Sequence, residues 1–213
     1  PLMEIFSQSS APVYHVLGNH DFSVAEDKKN EITKLLGLKR KYYTRKHFNW
    51  RFIFLDGTEV SVYANKKDSP EYTKASLTLD SLKLSKAVNA WDWNGAIGNK
   101  QIKWYKANLK KAEEKNENVI VVCHFPVFPQ PDTYNLYNSN EIKNITEQFK
   151  GKLIYLHGHT HKSNFTDNNS VFYLSFRGMV ETDMNSYAVA EVFSESILIR
   201  GFGKEKNYTI KWK

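Results

Sequence analysis

The apolar positions along the chain fall into two periods, short continuous runs that suit buried strands and longer stretches with a helical repeat. Residues 13–17, 119–123 and 152–156 are short, mostly apolar runs, too short for helices and rich in β-branched or aromatic residues, so each is expected to be a buried strand. Residues 99–114 are expected to form the clearest helix, with Ile102, Tyr105, Leu109 and Ala112 on one face and lysines on the other. Residues 26–36 and 141–149 are further helices, the first stopped by Gly37, and residues 1–10 finish a helix. Residues 41–46 and 50–55 alternate and should pair as a hairpin across His47-Phe48-Asn49, with His47 solvated and Asp56 forming the turn that follows.

Between residues 58 and 98 the periodicity weakens, and Ser69-Pro70 marks a break, so an irregular insertion is expected there. Of its Trp91 and Trp93, at least one should pack on the core, leaving a face of the other to stack on a base. Residues 130–140 read as a polar loop whose Tyr134 and Tyr137 are candidates to line a pocket. Residues 171–176, 187–193, 196–202 and 208–212 alternate, with turn residues between them, and should form consecutive antiparallel strands. Helix–strand units followed by a run of strands fit an α/β fold in which two sheets pack face to face with helices outside, and 213 residues suit one domain.

Composition changes this picture little. The hydrophobic content of 41% is enough for a core, and no stretch approaches the roughly 18 apolar residues of a membrane span. A single cysteine, Cys123, excludes an intrachain disulfide framework, and the compartment is left open. The net charge of +7 suits a phosphorylated substrate, but the lysines are scattered rather than gathered on one element, which argues against a nucleic-acid binder.

The chemistry lies where the three apolar runs end. Residues 13–17 lead into Gly18-Asn19-His20-Asp21, residues 119–123 into His124-Phe125-Pro126, and residues 152–156 into His157-Gly158-His159-Thr160-His161. Open α/β sheets place ligands and catalytic groups at such carboxyl ends, and chance explains one histidine terminus far more easily than three. In an extended segment His159 and His161 point the same way, while His157, which alternates in direction with Leu156 and Gly158, reads as a supporting or packing residue, as does His15 inside its run. Imidazole and amide-oxygen ligands suit borderline divalent ions such as Mn²⁺, Fe²⁺ and Zn²⁺.

In this order, the three strings resemble the later motifs of the calcineurin-like metallophosphoesterase family. The resemblance implies a four-layer α-β-β-α sandwich and a metal-dependent hydrolase of phosphoester or pyrophosphate bonds that uses two divalent ions. Carried onto this chain, it assigns Asn19, His124 and His159 to one ion and His161 to the other, with His20 acting on the substrate as the catalytic residue. Looser similarity around residues 98–105, 123–129 and 177–182 is to the manganese-dependent ADP-ribose/CDP-alcohol diphosphatase branch, which implies nucleoside diphosphate-linked small molecules as substrates and makes residues 58–98 a substrate-facing wall.

The chain departs from the pattern in one respect. The family opens with Asp-x-His and Gly-Asp-x-x-Asp, and neither string occurs here. The expectation is therefore a C-terminal portion of the domain without its first two βα units. It should bind at most one ion, weakly, be poorly active by itself, and expose part of a sheet to dimerisation or strand exchange. The rival readings are a binding or scaffold module that keeps the fold without the chemistry, and a nuclease of the same superfamily.

Overall fold

The computed structural model describes residues 2–181 and 183–212. The larger sheet has six strands: β1 (Tyr43–His47), β2 (Trp50–Phe54), β3 (Asn118–Val122), β4 (Leu153–His157), β5 (Asn164–Asn168) and β6 (Val171–Ser175), in the order β1-β2-β3-β4-β6-β5. Strands β2, β3, β4 and β6 run parallel, and an antiparallel strand closes each edge. A second sheet of β7 (Ser186–Val192), β8 (Ser196–Gly203) and β9 (Tyr208–Lys211) is antiparallel.

Alternation along the central strands fixes the layers. Val119, Val121, Leu153, Tyr155, Val171 and Tyr173 face the helices, where they meet Ile102, Tyr105, Leu109 and Ala112 of α4 (Asn99–Glu114) and Ile142 and Ile145 of α5 (Ser139–Glu147). The intervening Ile120, Ile154 and Leu174 face Ile197, Ile199 and Ile210 of the second sheet. Strands buried on both faces are near-continuously apolar, which is why β3 and β4 are legible as runs. The expected α/β sandwich, with sheet on sheet and helices outside, is the fold observed, and α4 has the buried face its spacing predicts.

Four local expectations are corrected. Residues 13–17 form no strand: β2 already has β1 on one side and β3 on the other, so the stretch finds no ladder partner there, and one of its ties is the Tyr43 hydroxyl donating to the His15 carbonyl at 2.7 Å. Residues 58–98 are not wholly irregular, because Ser69 accepts from the Tyr72 N–H at 3.1 Å and caps a 15-residue helix, α3 (Pro70–Leu84), with Pro70 in its first turn. Residues 26–36 form a 3₁₀ segment, Glu26–Glu31, and a single α turn, α2 (Ile32–Leu35), ended by Gly37 at φ +65°. The stretch 171–176 leaves the antiparallel series and inserts as β6 between β4 and β5. The polar β5 takes the edge, and the two join through Asn169 and Ser170, both left-handed, as a two-residue hairpin turn requires. At the amino end a short helix, α1 (Leu2–Ser7), is present as expected.

Candidate metal centre

The site forms at the carboxyl ends of β3 and β4. Parallel pairing carries past the last ladder residues, with the Cys123 N–H donating to the Leu156 carbonyl at 3.0 Å and the Gly158 N–H to the His124 carbonyl at 3.0 Å. His124 and His159 therefore leave neighbouring strands at the same level. Beyond Gly158 the chain is not extended: His159 and His161 both lie in the left-handed region, at φ +66° and +55°. Non-glycine residues there cost of order 1–3 kcal/mol each and concentrate at functional sites. The anticipated extended pair is thus replaced by two strained residues that send their rings into one cavity by different routes.

The third segment arrives as a 3₁₀ turn, Asn19–Phe22, fixed by the Asp21 carboxylate, which accepts the Gly18 N–H at 2.8 Å. Gly18 has to be glycine because a Cβ there would lie 2.8 Å from His124 Nδ1. That close approach brings Asn19 Oδ1 to 3.0 Å from His124 Nε2, across 105 residues of sequence. His124 Nε2 is also 3.0 Å from His159 Nδ1. His124 Nε2 thus has a donor atom from each of two other segments at 3.0 Å, a separation that two ligands of one ion can have when metal–ligand bonds are about 2.1 Å.

The far side of His159 is held as well. Its Nε2 donates to Asn94 Oδ1 at 2.9 Å, and Asn94 is fully buried because its own amide N–H groups donate to the carbonyls of Asn89 at 3.0 Å and Thr133 at 2.7 Å. This bond leaves the Nδ1 lone pair for the centre. Asn94 lies in the weakly patterned region, where no motif marks it. Burial pushes His124 down to about 3, aided by the neighbouring His161, His20 and His157. Burial, then His124 and the remaining histidines, pushes His159 down to about 2. Both rings are neutral at physiological pH, the form in which imidazole binds a metal.

His20 and His161 line the same cavity of about 710 Å³, together with Val16, Val122, Leu156, Phe176 and Arg177. Their ring centroids are 6.5 Å apart. His20 is exposed, with Nδ1 3.3 Å from Ser23 Oγ, and His161 packs against Gly178, where a Cβ would lie 2.9 Å from its Cγ. His157 is buried behind the site as a packing residue, pushed down to about 4 by burial, whereas His15 is only half-buried against Phe6 and lies in no strand. Tyr134 meets the edge of His159 at 5.6 Å, but Tyr137 turns away and donates to the Trp91 carbonyl at 2.6 Å. Trp91 and Trp93 stack on each other at 4.6 Å. Asp56 makes its turn, accepting from the Thr58 N–H at 2.8 Å, but does so fully buried, while His47 is exposed as expected.

Among the described residues no three His, Cys, Asp or Glu side chains form a metal-binding group. The donor set is two imidazoles and one amide, which fits one borderline divalent ion with open positions rather than a closed structural site.

Comparison with known proteins points to one family. A family model described as calcineurin-like phosphoesterase matches residues 2–163. The manganese-dependent ADP-ribose/CDP-alcohol diphosphatase of Mus musculus is 25% identical over 245 residues, covering 100% of this chain and 72% of its own length. The protein of that name from Arabidopsis thaliana is 26% identical over 204 residues, covering 88% of this chain and 66% of its own. The crystal structure of a dimetal phosphatase from Danio rerio superposes with a TM-score of 0.86 at 22% identity, over 100% of this chain and 76% of that one.

Proposed function

Because the chain belongs to the calcineurin-like phosphoesterase family, we propose that it acts in the metal-dependent hydrolysis of phosphoester or pyrophosphate bonds, with Asn19, His124 and His159 holding one divalent ion. The observation that carries this reading is the convergence of Asn19 Oδ1, His124 Nε2 and His159 Nδ1 at 3.0 Å spacings from three segments distant in sequence. A divalent ion held there supplies Lewis-acid polarisation of a phosphoryl oxygen and an activated water. In this reading His161 serves the second ion of the family pattern.

The chain's own residues do the rest. Asn94 holds His159 in the tautomer whose Nδ1 is unprotonated. His20, exposed at the cavity mouth, protonates the leaving oxygen, a role suited to an imidazole near neutral pH. The apolar walls of Val16, Val122, Leu156 and Phe176 limit water around the reacting phosphorus. The names of the relatives favour ADP-ribose or CDP-alcohols as substrates, with residues 58–98 as the wall facing them.

Since Asp-x-His and Gly-Asp-x-x-Asp are absent from the sequence, this chain should bind one Mn²⁺ weakly and turn over slowly. The rival reading is a binding module that keeps the phosphoesterase fold without the chemistry. Calorimetry with Mn²⁺, together with hydrolysis of ADP-ribose and a generic phosphodiester, tests the first reading. One weak site abolished by His124→Ala supports it, whereas no site, or two tight ones, contradicts it. Hydrolysis of either substrate by any form of the protein excludes the pure binding module.

A further inference from the structure

Glu205, in the turn between β8 and β9, is a carboxylate at 8% exposure, far from the usual solvated position of glutamate. It is satisfied by three short bonds. Oε1 accepts from Ser163 Oγ at 2.7 Å and from the Lys206 N–H at 2.7 Å, and Oε2 accepts from the Arg177 N–H at 2.7 Å. Charge-assisted bonds of this length are about twice as strong as neutral ones, and removing partners from a buried charge is costly. The turn carrying the carboxylate is itself fixed, with the Gly201 N–H donating to Asn207 Oδ1 at 2.9 Å and the Glu205 N–H to the Phe202 carbonyl at 3.2 Å.

The two segments gripped in this way are those that bracket His161. Ser163 lies two residues beyond it, and Arg177 immediately precedes Gly178, which rests against the His161 ring so closely that a Cβ there would meet Cγ at 2.9 Å. His161 has a left-handed backbone at φ +55°, a conformation that persists only where the surroundings impose it. One carboxylate thus ties both walls of the slot that contains this ring.

We propose that Glu205 is the positioning residue for His161, acting through Ser163 on one side and the Arg177-Gly178 backbone on the other. Its purpose rests on the reading of His161 as a residue facing the metal centre. Glu205 aligns the imidazole before any ion arrives, and it does so from the second sheet, so that sheet contributes to the site although none of its strands lines the cavity.

The test is NMR of the histidine rings in the metal-free protein and after addition of Mn²⁺. Loss of Glu205 in Glu205→Ala should shift and broaden the His161 ring signals and leave those of His15 and His47 in place, with Ser163→Ala giving a smaller version of the same change. Glu147→Gln removes a different, half-buried carboxylate, one that accepts from Lys143, Asn168, Asn169 and Tyr173, and should leave His161 unchanged although it lowers the melting temperature. If Glu205→Ala does not fold, Glu205→Gln provides the readout, because the amide retains one acceptor oxygen. Unshifted His161 signals in the folded Glu205 variant overturn the proposal while leaving the reading of the metal centre intact. Failure of Mn²⁺ to broaden the wild-type His161 signals removes that residue's metal role, and the proposal with it.

Discussion

His159 Nε2 donates to the fully buried Asn94 Oδ1 at 2.9 Å, a bond between residues 65 apart in sequence that fixes which imidazole nitrogen faces the centre. Asn94→Ala should therefore weaken Mn²⁺ binding by about 10- to 100-fold, the range typical of an outer partner to a metal-binding histidine. Calorimetric titration measures it, and an unchanged affinity would mean that the His159 tautomer is set elsewhere.

Gly18→Ala places a methyl group 2.8 Å from His124 Nδ1 in a ring that is already packed, so the imidazole has to move. The expected result is loss of Mn²⁺ binding of about tenfold or more with far-UV circular dichroism unchanged, because the displaced ring lies at a strand end rather than inside the ladder. Wild-type affinity in this variant would show that the close approach is incidental.

Glu117 joins the two hairpin strands to the start of β3. Arg51 reaches its Oε2 at 2.6 Å with both groups buried, and the half-exposed Lys46 reaches Oε1 at 2.7 Å. Burial alone raises the Glu117 pKa, but the two cations outweigh it and the group ends below its ordinary value. A depressed carboxylate contributes stability above its unfolded-state pKa of about 4.3 and loses it as pH falls through the folded value. Glu117→Gln leaves Arg51 buried without its charge partner and should cost about 3 kcal/mol at pH 7. In urea unfolding across pH the gap between variant and wild type should shrink below about pH 4, and a gap independent of pH would refute the assignment.

Tyr105, fully buried in the helix-side core, donates its hydroxyl to Thr146 Oγ1 at 2.9 Å, since that oxygen spends its own proton on the Ile142 carbonyl at 2.7 Å. Tyr105→Phe keeps the ring and removes one neutral hydrogen bond, so a loss of about 1 kcal/mol is expected in denaturant unfolding. A loss above about 3 kcal/mol would mean that the hydroxyl also organises the packing between α4 and α5.

What was legible in the sequence follows from how local its cause is. Strands β3 and β4 and helix α4 read directly because a buried strand is a continuous apolar run and a one-sided helix has a 3.6-residue repeat. Helix α3 did not, because Leu77 and Leu84 are exposed while Ala75 and Leu79 are buried, so its apolar residues follow no single face. Residues 13–17 misled because a short apolar run suits a buried strand but does not supply a neighbour to pair with. At the candidate site, Asn19, His124 and His159 could be named from the family resemblance of the strings that follow the apolar runs, whereas Asn94 could not. Its role depends on a contact with His159 that no spacing within residues 58–98 encodes. The left-handed backbone of His159 and His161 was equally hidden, since histidine is not a residue type that marks such a conformation.

The central claim is that three remote pieces of polypeptide share one ion, and anomalous diffraction from crystals soaked in Mn²⁺ tests it most directly. The account predicts an anomalous peak among Asn19 Oδ1, His124 Nε2 and His159 Nδ1, at about 2.1 Å from each, and its disappearance in His124→Ala crystals. A peak elsewhere on the molecule with none between these atoms, or one that survives the loss of His124, would contradict it.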